Sequence, residues 1–383
     1  MIPYGFQWID KEEIDAVVGV LRSDRITQGP RIEEFERAVA DYAGARFGVA
    51  FSSGTAALHA ACAAAGVSAG DEVITSPLSF VASANCALYI GATPVFADIE
   101  PTSLTLDWRE AAKKVTLRTK AVIPVDFGGQ PCALDEIALL AKQHGLVVIE
   151  DAAHALGAEY KGRRVGGQAD MTILSFHPVK HITTGEGGMV LTNNAALREK
   201  LARFRTHGIV RDPAKMTRSD EGAWYYEMQD LGYNYRITDI QCALGMAQLT
   251  KLDRFVARRR KIADQYAQAF AALPGLQLTQ EPAGTRSSYH LYVLQLPIER
   301  LKGGRRAFFD ALLERKLGVN VHYIPIHLQP YYQRRFGCRR GDFPLAEGYY
   351  DRAITIPLYP KMTDEDVRYV IASVSDVFRQ LWT

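Results

Sequence analysis

Over residues 47–193 the chain alternates short apolar runs with segments of helical length. The runs "FGVAF", "DEVIT", "TPVFAD", "KAVIPV", "GLVVIED" and "MTILSF" are rich in valine and isoleucine and are bounded by glycine, proline or aspartate, which predicts buried strands. Between them "TAALHAACAAAG", "SFVASANCALYIG" and "LDEIALLAKQHG" predict helices, each stopped by a glycine. Strands that alternate with helices build a mostly parallel sheet covered on both faces, and such sheets bind ligands beyond the carboxyl ends of their strands. After "GYNYRITDIQCALGMAQLTKL" the pattern changes. A long amphipathic stretch runs to about Leu273, then short strands in "HLYVLQL", "VNVHYIPIH" and "AITIPLY" mix with helices over 305–316 and 364–382. The expectation is a large α/β domain over residues 1–250 and a smaller α+β domain over 251–383.

Composition narrows the function classes. A chain of 383 residues that is 48% hydrophobic can cover two cores. Its 45 basic and 43 acidic side chains are spread along the sequence, leaving +2, so no electrostatic footprint for nucleic acid or an anionic membrane is expected. The one basic run, Arg258-Arg259-Arg260-Lys261, falls in a helical stretch and reads as a solvated face. Five cysteines, far apart and in no C-x-x-C pair, give neither a disulfide framework nor a zinc knuckle. The first residues lack the charge and apolar pattern of a secretory leader, and no run of 18 uncharged apolar residues occurs. A cytoplasmic protein with small-molecule partners is the expectation.

Three strand ends collect chemistry. In "FSSGTAAL" a strand gives way to Ser53, Gly54 and Thr55 and then to an alanine-rich helix, whose first turn offers free N–H groups and a positive dipole end to a phosphate. Simple N-capping by Ser or Thr explains the same pattern. In "VVIEDAAHALG" Asp151 ends an apolar strand, where a carboxylate needs a cation, several donors or a metal, with His154 close behind. In "SFHPVKHITTGEGG" Ser175 ends the next strand and Lys180 follows. A lysine in a partly dry pocket has a lowered pKa, and its neutral amine attacks aldehydes. An anion site, a counter-charge for a pyridinium and an amine are together what pyridoxal phosphate requires, and Phe80 in "SPLSFVAS" offers a flat face for its ring. A zinc site on His154, His177 and His181 is disfavoured because Pro178 interrupts any regular ligand-bearing turn, so no metal is expected.

These stretches, with "ITQGPRIEEFE", "GYNYRITDIQCALG" and "VHYIPIH", closely resemble the DegT/DnrJ/EryC1/StrS family of sugar aminotransferases over nearly the whole chain. The resemblance implies a fold-type-I pyridoxal phosphate transferase with a mostly parallel seven-stranded sheet flanked by helices. It implies Lys180 as the lysine that carries the cofactor, Asp151 as partner of the ring nitrogen, and His154 near the ring oxygen. Phe80 would stack on the ring, and Gly54, Thr55, Ala56 and Ser175 would hold the phosphate. Asn234 matches a position that reaches the neighbouring subunit's phosphate, which implies a homodimer with shared sites. Some members carry histidine at the lysine position and act as dehydratases, so Lys180 favours transamination. Within the family, "ITTGEGG" and "HYIPIH" are most similar to members of pseudaminic acid synthesis. Those aminate C4 of a UDP-linked 4-keto-6-deoxy-N-acetylhexosamine with glutamate as donor. Arg236, His322, Tyr323 and His327 are candidates for the sugar or diphosphate, and residues 211–230, with Trp224, Tyr225 and Tyr226, for a flap. On residues alone, a non-catalytic protein keeping the pocket and an aminotransferase for small amino acids stay open.

Overall fold

A computed structural model describes every residue of the chain except Ser219. Seven strands form the main sheet: β1 (Phe47–Phe51), β2 (Glu72–Thr75), β3 (Thr93–Phe96), β4 (Thr119–Ile123), β5 (Val147–Asp151), β6 (Met171–Ser175) and β7 (Gly188–Thr192), in the order β1-β7-β6-β5-β4-β2-β3. Neighbours from β6 to β3 pair in parallel, whereas β7 runs antiparallel to both β6 and β1. Thus β1, β2, β5 and β6 all end at one edge of the sheet, where ligands of such sheets sit.

The six strands expected from the apolar runs all form, and β7 is the one that the pattern of apolar runs did not mark. Its run follows a glycine-rich turn, and its first residue, Gly188, is forced to be small. A Cβ there would lie 2.5 Å from the Ser53 carbonyl oxygen and 2.6 Å from the Gly54 nitrogen. Each of the three expected helices also forms: α1 (Gly54–Ala64), α2 (Ala82–Leu88) and α3 (Leu134–His144). Past their ends, Gly66, Gly91 and Gly145 take positive φ (76°, 81° and 66°), which supplies the left-handed turn that stops each helix. Both faces of the sheet are covered. Ile173 joins α1 and Val190 in one core, while its neighbour Leu174 joins Phe35, Phe176 and Met189 in another, as alternation along a strand requires.

Downstream, "GYNYRITDIQCALGMAQLTKL" carries α4 (Asp239–Leu249), and the amphipathic stretch after it forms α5 (Leu252–Phe270). A separate core is built on a three-stranded antiparallel sheet of β8 (Gln277–Leu278), β9 (Tyr292–Gln295) and β10 (Ala353–Ile356), covered by α6 (Gly304–Glu314) and α7 (Asp364–Leu381). The stretch "VNVHYIPIH" is not the expected strand. Its backbone is spent elsewhere: Asn320 makes a single bridge to Thr355, the Val321 N–H turns back to its neighbour's side chain, and the Ile326 N–H donates to the Pro77 carbonyl. The first residues of the chain dock on this C-terminal unit, with the Ile2 N–H on the Lys316 carbonyl at 2.9 Å and the Leu358 N–H on the Tyr4 carbonyl at 3.1 Å. No helix among the described residues is long and apolar enough to cross a membrane.

Candidate active site

At the carboxyl edge of the sheet lies a cavity of about 610 Å³, lined by residues from all three strand ends singled out above and by a segment of the C-terminal unit. Asp151, the last residue of β5, is 4% exposed. Its Oδ2 accepts from the Ser83 hydroxyl at 2.6 Å and its Oδ1 from the Ala153 N–H at 3.2 Å. Ser83 is bonded in turn to Ser79 at 2.7 Å. Burial pushes the Asp151 carboxyl up, while Ser83, Ala153 and the Lys180 charge pull it back.

Lys180 sits in the loop between β6 and β7 and keeps part of its surface open to the cavity. Its pKa is lowered to about 7, first by removal from water and further by the Arg259 charge, against the attraction of Asp151. At neutral pH a large fraction of this amine is therefore the neutral nucleophile.

His154 is placed by a turn, not by a helix. Its Nδ1 accepts from the Gly128 N–H at 3.3 Å, which leaves the proton on Nε2, 3.2 Å from the Tyr323 hydroxyl. Burial and then the charge of Lys180 hold it well below the usual histidine range. His290 lies against it, ring centroids 4.3 Å apart, and is likewise held neutral. Phe80 is 56% exposed, and its ring lies 6.1 Å from that of Tyr323.

The cradle for an anion is the start of α1. Ser53 caps it, accepting from the Ala56 N–H at 3.1 Å, so the capping role and an anion site coexist. Gly54, Thr55 and Ser175 line the cavity, whereas Ala56 faces a second cavity beyond Thr55. A Cβ on Gly54 would stand 3.2 Å from the Ser175 Cβ, so a side chain would close the gap between helix and strand.

Of the remaining candidates, His322 and Tyr323 line the cavity. His322 Nδ1 is 2.9 Å from the Thr355 hydroxyl, and burial, then Lys180, brings its pKa down to about 4. His327 is not brought to the cavity: it is fully buried, with Nε2 on Glu347 at 2.9 Å and its ring on Phe343. Asn234 is exposed and Arg236 half-buried, and neither lines this chain's own cavity. The three histidines weighed as zinc ligands take separate partners: Gly128 and Tyr323 for His154, the Val179 N–H for His177, the Ser288 carbonyl for His181. Within 211–230, a stretch containing Ser219, which lies outside the described residues, no described residue lines the cavity, and Trp224 is 77% exposed.

Sequence reasoning missed Ser83, Ser79, His290 and Arg259. The two serines are spaced i, i+4 in "SFVAS", a spacing that places them on one side of a turn. Arg259 was hidden in the basic run, which is not a solvated face. Arg259 is 1% exposed, and its guanidinium donates to the carbonyls of Tyr289, His290 and Leu358. Its neighbours Arg258 and Arg260 are tied to Asp364 and Glu281.

The model of the DegT/DnrJ/EryC1/StrS aminotransferase family matches residues 7–375. The chain belongs to this family. The spore coat polysaccharide biosynthesis protein SpsC of Bacillus subtilis is 44% identical over 379 residues, covering 99% of this chain and 97% of SpsC. Among solved structures, PseC of Helicobacter pylori, an aminotransferase of pseudaminic acid biosynthesis, superposes with a TM-score of 0.90 at 33% identity, covering 99% of this chain and all of PseC. Spr1654 of Streptococcus pneumoniae in its PLP form gives 0.92 at 30% identity, with both chains fully covered. The family's fold is the fold-type-I architecture described above, and its cofactor is pyridoxal 5′-phosphate. The residues present fit that cofactor: a buried strand-end carboxylate, an amine of lowered pKa and a glycine-opened helix start surround one cavity.

Proposed function

We propose that this sugar aminotransferase moves the amino group of L-glutamate to C4 of a UDP-linked 4-keto-6-deoxy-N-acetylhexosamine, giving UDP-4-amino-4,6-dideoxy-N-acetyl-β-L-altrosamine. The observation that carries the sugar assignment is the relation to PseC over 99% of the chain, together with the "ITTGEGG" turn behind Lys180. When bound, pyridoxal phosphate supplies an aldehyde carbon and an electron-withdrawing ring that stabilises negative charge on the neighbouring carbon. In this reading Lys180, a large fraction of it neutral near pH 7, is the attacking amine and then the base that moves a proton at the substrate carbon. Asp151, fixed by Ser83, keeps a proton on the ring nitrogen. Gly54, Thr55 and Ser175, with the first turn of α1, would hold the phosphate, and Phe80 in the cavity wall would offer a flat face to the ring. His154, oriented by Gly128, sets the other polar contact of the ring, and His322 and Tyr323 face the sugar.

The exposed Asn234 supports a homodimer in which it completes the partner's phosphate site. Mixing Lys180→Ala and Asn234→Ala chains would then restore about a quarter of the sites, and two inactive parents giving no activity together would remove this part of the reading.

The test of the substrate is incubation of the pyridoxal phosphate-loaded protein with glutamate and a panel of 4-keto nucleotide sugars, with products identified by mass and NMR. Amination of the UDP-N-acetyl sugar is expected. Amination of a dTDP or GDP sugar alone would transfer the assignment to a second reading, a 4-aminotransferase for another surface polysaccharide. The 44% identity to SpsC favours that reading.

A further inference from the structure

Asp126 and Glu150 are both fully buried, and the chemistry above uses neither. Glu150 precedes Asp151 on β5, so alternation sends its side chain to the opposite face of the sheet, where Val148 packs with Cys132. Asp126 follows β4 and is tied to the same strand end: its N–H donates to the Asp151 carbonyl at 3.0 Å, and the Asp151 N–H donates to the Pro124 carbonyl at 2.8 Å. One oxygen of each carboxyl is satisfied. Asp126 Oδ1 accepts from the Cys132 N–H at 2.9 Å, and Glu150 Oε2 from the Thr172 hydroxyl at 2.7 Å. The other two, Asp126 Oδ2 and Glu150 Oε1, are buried without a donor among the described residues, and each carboxyl shifts the titration of the other. Two ionised carboxylates there would repel each other and leave both oxygens unpaired, whereas one shared proton removes both costs.

We propose that Asp126 and Glu150 share a single proton, and that the negative charge the pair retains helps hold a proton on the ring nitrogen faced by Asp151. This rests on the pyridoxal phosphate reading of the cavity. The pair touches neither ring nor substrate; it is a positioning device that acts through β5 and through its field. The titratable groups around it are the Cys132 thiol, which donates to the Val125 carbonyl at 3.1 Å, Asp151 across the strand, and Lys180 beyond Asp151. Burial and mutual repulsion push the Asp126 carboxyl well up, and burial brings Glu150 to about 7, in line with a proton retained at neutral pH.

Amide substitutions test this without changing shape. Asp126→Asn or Glu150→Gln alone replaces the shared proton by an amide N–H and keeps one charge, while the double variant keeps the hydrogen bond and loses the charge. Infrared spectra of the holoenzyme should show a protonated-carboxyl band that disappears in either single variant. The pH at which the bound cofactor's visible absorption changes should stay at the wild-type value in both single variants and fall by about one unit in the double. Glu150→Leu, which leaves Asp126 to take up a proton of its own, should reproduce the double variant and serves if the latter does not fold. Absence of the band in the wild type, or a wild-type absorption titration in the folded double variant or in Glu150→Leu, would overturn the proposal. A protein that takes up no pyridoxal phosphate fails the functional reading instead, and the infrared band of the unloaded protein still decides the shared proton.

Discussion

A lysine whose pKa lies near 7 loses nucleophilicity as the pH falls and gains nothing as it rises far above that value. For Lys180 the uptake of pyridoxal phosphate by the cofactor-free protein should therefore slow roughly tenfold per pH unit below about 7 and level off above it, as read by absorbance after mixing. Lys180→Ala should lose turnover by roughly 10²- to 10⁴-fold or more, because proton transfer at carbon is lost with the amine. Ser83→Ala removes the hydroxyl that donates to Asp151 Oδ2, a charge-assisted bond whose loss is expected to lower kcat about tenfold while the far-ultraviolet circular dichroism stays unchanged. Asp151 was legible in the sequence because a carboxylate at the end of an apolar strand stands out against its burial cost, and Lys180 because it follows the next strand end closely in a glycine- and threonine-rich stretch. Ser83 and His290 were not, since a serine within a small-residue helix and a histidine before a strand look ordinary until the chain brings them to Asp151 and His154.

Elements carry the next layer of constraint. The start of α1 has to approach both β6 and β7, and glycine at 54 and 188 is what permits it. Gly188→Ala would drive a methyl group onto the Ser53 carbonyl and the Gly54 N–H, neither of which is the end of a flexible side chain. It should destabilise the fold by about 1–3 kcal/mol in denaturant titrations and weaken cofactor retention in parallel. Ser53→Ala, which removes only a cap, should cost about 1 kcal/mol. The apolar runs located six of seven strands and the glycines located the helix stops, because those signals are local. "VNVHYIPIH" misled because its alternation is that of a strand while its backbone is bonded to Pro77 and Thr355, partners set by distant parts of the chain.

At the scale of the molecule, α5 joins two cores and carries a charge between them. Leu252 and Val256 pack with Phe35 and Leu174, whereas Ile262, Tyr266 and Phe270 pack with Tyr292 and Phe308. Arg259 lies between the two sets, fully enclosed and still cationic at neutral pH, since burial lowers its pKa only to about 9. Three carbonyls from two segments hold it, one of them that of His290 in the cavity wall. Nothing in four consecutive basic letters distinguishes the one that is fully enclosed, so the sequence pattern could not separate Arg259 from its half-buried, ion-paired neighbours Arg258 and Arg260. Replacing it by methionine leaves those carbonyls without donors and should cost about 2–4 kcal/mol in equilibrium unfolding. The same change removes the positive charge that, after burial, lowers the Lys180 pKa. The midpoint of the pH profile for cofactor uptake should therefore move upward from about 7 in a folded Arg259→Met protein. An unchanged midpoint would show that desolvation alone sets the amine and that the arginine serves only to lock the two cores together.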